Sequence, residues 1–218
     1  MNDSEAIPED LPAKVTNLPP LDKDDTEDAR EGRVLPKILT YDQIDRFLLA
    51  INDIEDLVAC RLMLFGGLRV AEASDVLVKD IHPETLSVFV RQGKGSKDRY
   101  APIDVGTIAL AQCYANLIKR SGEGRLFKST KRTLQRHVEL TYGRADIYWG
   151  VDAENKKIIP GCHTLRHTCA TWQLDQGIPL PVVQGNLGHE DIETTQIYLH
   201  LNIRQRARTY RDCTRFGT

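Results

Sequence analysis

A chain of 218 residues with 41% apolar and 28% charged side chains suits one domain of ordinary size plus a tail. No apolar run approaches the ~18 residues a membrane-spanning helix needs, and the acidic, non-apolar N-terminus excludes a secretory signal. The net charge of −2 hides an asymmetry: residues 1–33 hold ten Asp and Glu against four Lys and Arg, leaving 21 against 25 in the rest.

The segment 1–33 is acidic, proline-bearing and almost free of aromatics, and it reads as a disordered leader. The folded part begins near Val34 and runs to residue 218 as one domain. Thr40-Tyr41-Asp42-Gln43 has the form of a capping box, opening a helix with Ile44, Phe47, Leu48 and Ile51 on one face. A second helix is expected over 55–65, ended by Gly66-Gly67, and a short third from Val70 to about Val78. The period then changes. Leu86, Val88 and Val90 alternate as in a strand, 99–103 reads as its partner, and Gly93-Lys94-Gly95-Ser96 forms the turn. Helices resume at about 105–119, 130–142, 163–176, 179–186 and 191–200, the seventh marked by Pro179 and Pro181. The fold class is therefore mainly α with one small antiparallel sheet.

Five cysteines, odd in number and without CxxC spacing, are poor material for disulfides and indicate a reducing, cytoplasmic setting. Cys60 and Cys113 lie in apolar helical stretches and read as small buried hydrophobes. Basic residues cluster in two places: Lys119, Arg120, Arg125, Lys128, Lys131, Arg132 and Arg136, then Arg204, Arg206, Arg208, Arg211 and Arg215. Such clusters suit phosphate backbones or a solvated helix face, and charge alone leaves both open.

Four segments combine polar residues with unusual backbone punctuation. They stand in order as GLRVAE around Arg69, QGKGSKDR around Lys94, HTLRHTCAT with His163 and Arg166, and NLGHEDIETTQIYLH with His189 and Tyr198. As an ordered set, from about Val34 to Leu201, they resemble the catalytic domain of the tyrosine recombinases, the phage integrase family that includes Xer-type and phage or plasmid integrases. The resemblance implies a site-specific recombinase that cuts and rejoins double-stranded DNA as a homo-tetramer, without metal or cofactor.

By that resemblance Tyr198 is the nucleophile that forms a 3′-phosphotyrosine. Arg69 and Arg166 hold the non-bridging oxygens, a task suited to the guanidinium fork. His163 moves the phenol's proton, Lys94 protonates the departing 5′ oxygen, and His189 bonds the phosphate.

Several rival readings stay open. Lys97 competes with Lys94, and Tyr210 with Tyr198. His163 and His167 share a helix face, from which a zinc site with Cys162 or Cys169 can be drawn; otherwise His167 is structural. Typical family members carry a separate core-binding domain before the catalytic one, and the acidic 33-residue segment is too short for it. A DNA-binding regulator that keeps the fold is thus an alternative, as is a type IB topoisomerase-like or telomere-resolving activity.

Overall fold

The computed structural model describes residues 36–91 and 98–188. Among these are seven α-helices and one three-stranded sheet, in the order α1 (Tyr41–Leu49), α2 (Ile54–Phe65), α3 (Val70–Ser74), β1 (Ile81–His82), β2 (Ser87–Val90), β3 (Arg99–Pro102), α4 (Val105–Leu117), α5 (Lys131–Arg144), α6 (Cys162–Asp175) and α7 (Leu180–Leu187). The mainly α architecture with a small antiparallel sheet is as expected. The helix expected over 191–200 lies outside the described residues, as do residues 1–33 and the lysine-bearing turn.

Helix starts follow local chemistry. At α1 the Thr40 Oγ1 accepts from the Gln43 N–H at 3.3 Å, and the Gln43 amide oxygen accepts from the Thr40 N–H at 3.0 Å. This satisfies two of the N–H groups that a helix start leaves without partners. Asp53 caps α2, Asp104 caps α4 and Thr130 caps α5, each accepting a backbone N–H in the first turn. Pro179 stands where its missing N–H costs nothing, at the start of α7.

Helix α2 runs through the middle of the core, burying Val58, Ala59, Leu62 and Met63, and it packs on α6, α4 and α5. Phe47 of α1 lies against Tyr142 of α5 with ring centroids 4.6 Å apart, both fully buried. A smaller apolar cluster, Ala170, Leu174, Val183 and Leu187, joins α6 to α7. Among the described residues no helix is long and apolar enough to cross a membrane.

The sheet has the order β1-β2-β3, with Val88 opposite Ala101 and Val90 opposite Arg99. Three details depart from the sequence reading. Helix α3 stops at Ser74, and the chain continues through a short 3-10 turn, Val78–Asp80, into β1, a strand too short to leave a periodic signal. Leu86 is not in a strand: it has φ of 48° and turns the chain into β2. Between α5 and α6 lies a tight hairpin, with Trp149 N–H donating to the Ile158 carbonyl at 2.8 Å and Ile158 N–H to that of Gly150 at 2.9 Å.

Two side-chain expectations also change. Cys60 is buried as expected, but Cys113 is exposed, because it falls on the outer face of α4 between buried Ala111 and Tyr114. The basic run 119–136 is partly internal. Arg120 donates to the carbonyls of Arg125 and Phe127, and Arg125 pairs with Asp75, so these two residues hold the connection from α4 to α5 together.

Candidate active site

Residue Arg69 is the N-cap of α3, directly after the turn at Gly66-Gly67. Gly67 has φ of +66°, a conformation that favours glycine, and a Cβ there would meet Leu187 Cδ2 at 2.4 Å. The turn is therefore pressed against the end of α7. Its carbonyl faces α6 and accepts from Arg166 Nη1 at 2.6 Å. Arg166 Nη2 donates to the Leu187 carbonyl at 2.8 Å. One buried guanidinium thus ties the turn before α3 to the end of α7, with α6 as its base.

The two arginines are 97 positions apart in the sequence, and Glu72 brings them together. Its side chain is only 9% exposed. It accepts from the Arg69 N–H at 2.8 Å and from Arg69 Nη1 at 2.8 Å. Arg166 Nη1 stands 3.8 Å from its Oε2. A third arginine, Arg99 at the start of β3, grips both oxygens, Nη1 to Oε1 at 3.1 Å and Nη2 to Oε2 at 2.8 Å. Burial alone would raise the Glu72 pKa. The Arg99 and Arg69 hydrogen bonds and charges outweigh it and hold the carboxyl below its ordinary value.

Arg99 also donates through Nε to the Asn186 carbonyl at 2.9 Å, so it reaches the end of α7 as well. That end is fixed from a second side. Asn186 Nδ2 donates to Gln173 Oε1 at 3.0 Å, Gln173 Nε2 to Cys169 Sγ at 3.2 Å, and Cys169 Sγ to the Phe65 carbonyl at 3.4 Å. This partly buried chain of contacts crosses from α7 through α6 to α2. Gly188, with φ of 67°, then ends α7 in a left-handed cap.

His163 lies in the first turn of α6, three residues before Arg166, with its ring exposed. His167 follows one turn later, its ring centroid 6.4 Å from that of His163. Burial, the neighbouring His163 and the Arg166 charge push His167 down to about 4, so it stays neutral near pH 7. A neutral, half-buried imidazole fits the structural reading of His167. Cys169 points the other way, into the contacts with Phe65 and Gln173, and among the described residues no three His, Cys, Asp or Glu side chains are grouped to hold a metal ion.

Of the six residues singled out from the sequence, Arg69, Arg166 and His163 fall within the described residues. The first two meet at one carboxylate, and His163 extends from the same helix as Arg166. Lys94, His189 and Tyr198 lie outside the described residues, as do their rivals Lys97 and Tyr210. Sequence reasoning missed Glu72 and Arg99. A signal for Arg99 did exist: β3 alternates buried and exposed, and the period puts Arg99 on the buried face, where a charge requires a partner.

The arrangement concentrates positive charge around one carboxylate. Two guanidinium groups are held by a shared buried carboxylate, and Arg69 keeps two-fifths of its side chain accessible to a ligand. The phage integrase family model matches residues 37–205. The tyrosine recombinase XerC of Vibrio vulnificus is 37% identical over 192 residues, covering 83% of this chain and 58% of that protein. The chain therefore spans less than two thirds of that curated relative. The crystal structure of XerA recombinase superposes with a TM-score of 0.67 at 26% identity, covering 84% of this chain and 67% of that one. XerH recombinase bound to palindromic difH substrate, a post-cleavage complex, gives a TM-score of 0.64 at 25% identity, covering 81% and 53%. With the family model spanning most of its length and its four motifs in order, the chain belongs to the phage integrase family.

Proposed function

We propose that this chain is the catalytic part of a site-specific DNA recombinase that breaks and rejoins strands of double-stranded DNA through Tyr198. The observation that carries the reading is the meeting of Arg69 and Arg166 at Glu72, with His163 on the same helix as Arg166. A phosphodiester under attack passes through a crowded phosphorane with added negative charge. Preorganised guanidinium groups stabilise that charge more than they stabilise the starting ester.

The step balances without an outside reactant. The Tyr198 oxygen forms a bond to phosphorus and the phosphorus bond to the 5′ oxygen breaks. The phenol proton passes to His163, and Lys94 gives a proton to the 5′ oxygen, leaving a 3′-phosphotyrosine and a free 5′-hydroxyl. Attack by a 5′-hydroxyl of another strand reverses these events, with the energy of the phosphodiester held in the tyrosyl link. His189 hydrogen-bonds the phosphate. The structural likeness to XerH recombinase bound to difH substrate, in pre-cleavage and post-cleavage complexes, supports DNA as the partner. Assembly as a homo-tetramer on DNA and a cytoplasmic location follow from the same reading.

The test is a pool of nicked DNA duplexes of randomised sequence, in which cleavage beside the nick releases a short fragment and traps the enzyme. The full chain yields an SDS-resistant protein–DNA adduct, insensitive to EDTA, and Tyr198→Phe abolishes it. An adduct that persists in Tyr198→Phe, or none from the intact chain, overturns the proposal.

A further inference from the structure

Three guanidinium groups meet one carboxylate in this site, and their geometry is unequal. Arg99 takes both Glu72 oxygens in a bidentate grip while its own side chain is 8% exposed. The Arg69 guanidinium takes one oxygen and its side chain is 40% exposed, and Arg166 stands at 3.8 Å. Arg99 also gives its Nε–H to the Asn186 carbonyl, so all three of its nitrogens bond inward. A buried carboxylate with no such partner would draw Arg166 in from 3.8 Å beside the close pair that Arg69 already makes, and its unneutralised charge would lower the positive potential where an anion must bind.

We propose that Arg99 is a positioning residue whose charge neutralises Glu72, so that Glu72 orients Arg69 and Arg166 without cancelling their field at the phosphate. The inference rests on the recombinase reading above. One carboxylate against three guanidinium groups leaves a surplus of two positive charges in this cluster, matched to a phosphorane that carries two negative ones. The lowered pKa of Glu72 agrees, since it keeps the carboxylate charged and its grip on Arg69 intact through the neutral range.

The experiment compares the full chain with Arg99→Met, Arg99→Lys and the double variant Arg99→Met/Glu72→Gln, on one nicked duplex recovered from the trapped pool. Thermal midpoints show which variants fold. Arg99→Met forms adduct on the order of 10²-fold more slowly, the scale of losing one preorganised donor, with DNA affinity within a few-fold. Arg99→Lys, which keeps the charge and loses the fork, stays within about 10-fold of the unaltered chain. The double variant removes the charge pair together and regains at least about 10-fold over Arg99→Met; a purely structural role for Arg99 would not produce that recovery.

A double variant no faster than Arg99→Met, or an Arg99→Met variant as fast as the unaltered chain, overturns the inference. If Arg99→Met does not fold, a folded double variant that forms no adduct overturns it equally. Should the unaltered chain itself form no adduct, the recombinase reading fails. Binding of inorganic phosphate then still decides the charge argument: Arg99→Met must weaken it and the double variant restore it.

Discussion

Replacing Gly67 with alanine tests the packing that unites the site. The residue has φ of +66°, where a side chain costs about 1–2 kcal/mol, and the new Cβ would lie 2.4 Å from Leu187 Cδ2 and 3.3 Å from Cys169 Sγ. Overpacking of that kind costs roughly 1–3 kcal/mol, so the total loss is about 2–5 kcal/mol. For a domain of this size the thermal midpoint falls by roughly 5–15 °C. Activity suffers more than stability. The Gly67 and Leu187 carbonyls both hold Arg166, and pushing them apart moves its guanidinium. A displacement near 1 Å lowers a positioned reaction on the order of 10²-fold. The assay measures thermal midpoint and adduct rate well below that midpoint. Gly122→Ala is the control, since Gly122 has φ of +55° and nothing within 4 Å of its Cβ position. If Gly67→Ala matches Gly122→Ala in both measurements, the close approach does not organise the site.

Two further outcomes follow from groups outside the arginine cluster. The folded pKa of His167 is depressed from 6.5 to about 4, so the stability it contributes is complete above pH 6.5 and is lost as pH falls towards 4. Denaturant titrations between those limits show a decline of at most about 3 kcal/mol from this residue, less for the solvent reaching its ring, and His167→Gln flattens that part of the profile. An unchanged profile in the variant places the titration elsewhere. Glu55 is a buried carboxylate that accepts from the Tyr114 hydroxyl and from the Lys128 and Ser129 N–H groups at 3.1 and 2.7 Å. Glu55→Leu leaves three donors without their acceptor and destabilises the domain by roughly 2–4 kcal/mol in chemical denaturation, while a change under 1 kcal/mol shows that water replaces the carboxylate freely.

The helices were legible because their signals are local. Thr40 and Gln43 announce α1 from four consecutive residues, and Pro179 marks the start of α7. The short pieces were not. A strand of two residues, Ile81–His82, has no period to detect, and the left-handed Leu86 is set by the turn it must make. At the site, Arg69 and Arg166 stood out as residue types in recognisable segments. Glu72 and Arg99 did not, because a charged pair formed across 27 positions is a fact of packing. Only the inward phase of β3 hinted that Arg99 needed a counter-ion.

The carbonyl of Leu187 that receives Arg166 Nη2 lies two positions before His189 and eleven before Tyr198. The guanidinium is thus tethered to the residues that precede, in sequence, Tyr198, the nucleophile of the proposed function. A shift at the end of α7 reaches the arginine cluster through two hydrogen bonds, Arg166 to the Leu187 carbonyl and Arg99 to that of Asn186. Under the proposed function, readiness to hold a phosphate is therefore coupled to how α7 ends, and loosening that end weakens the electrostatic support of the site.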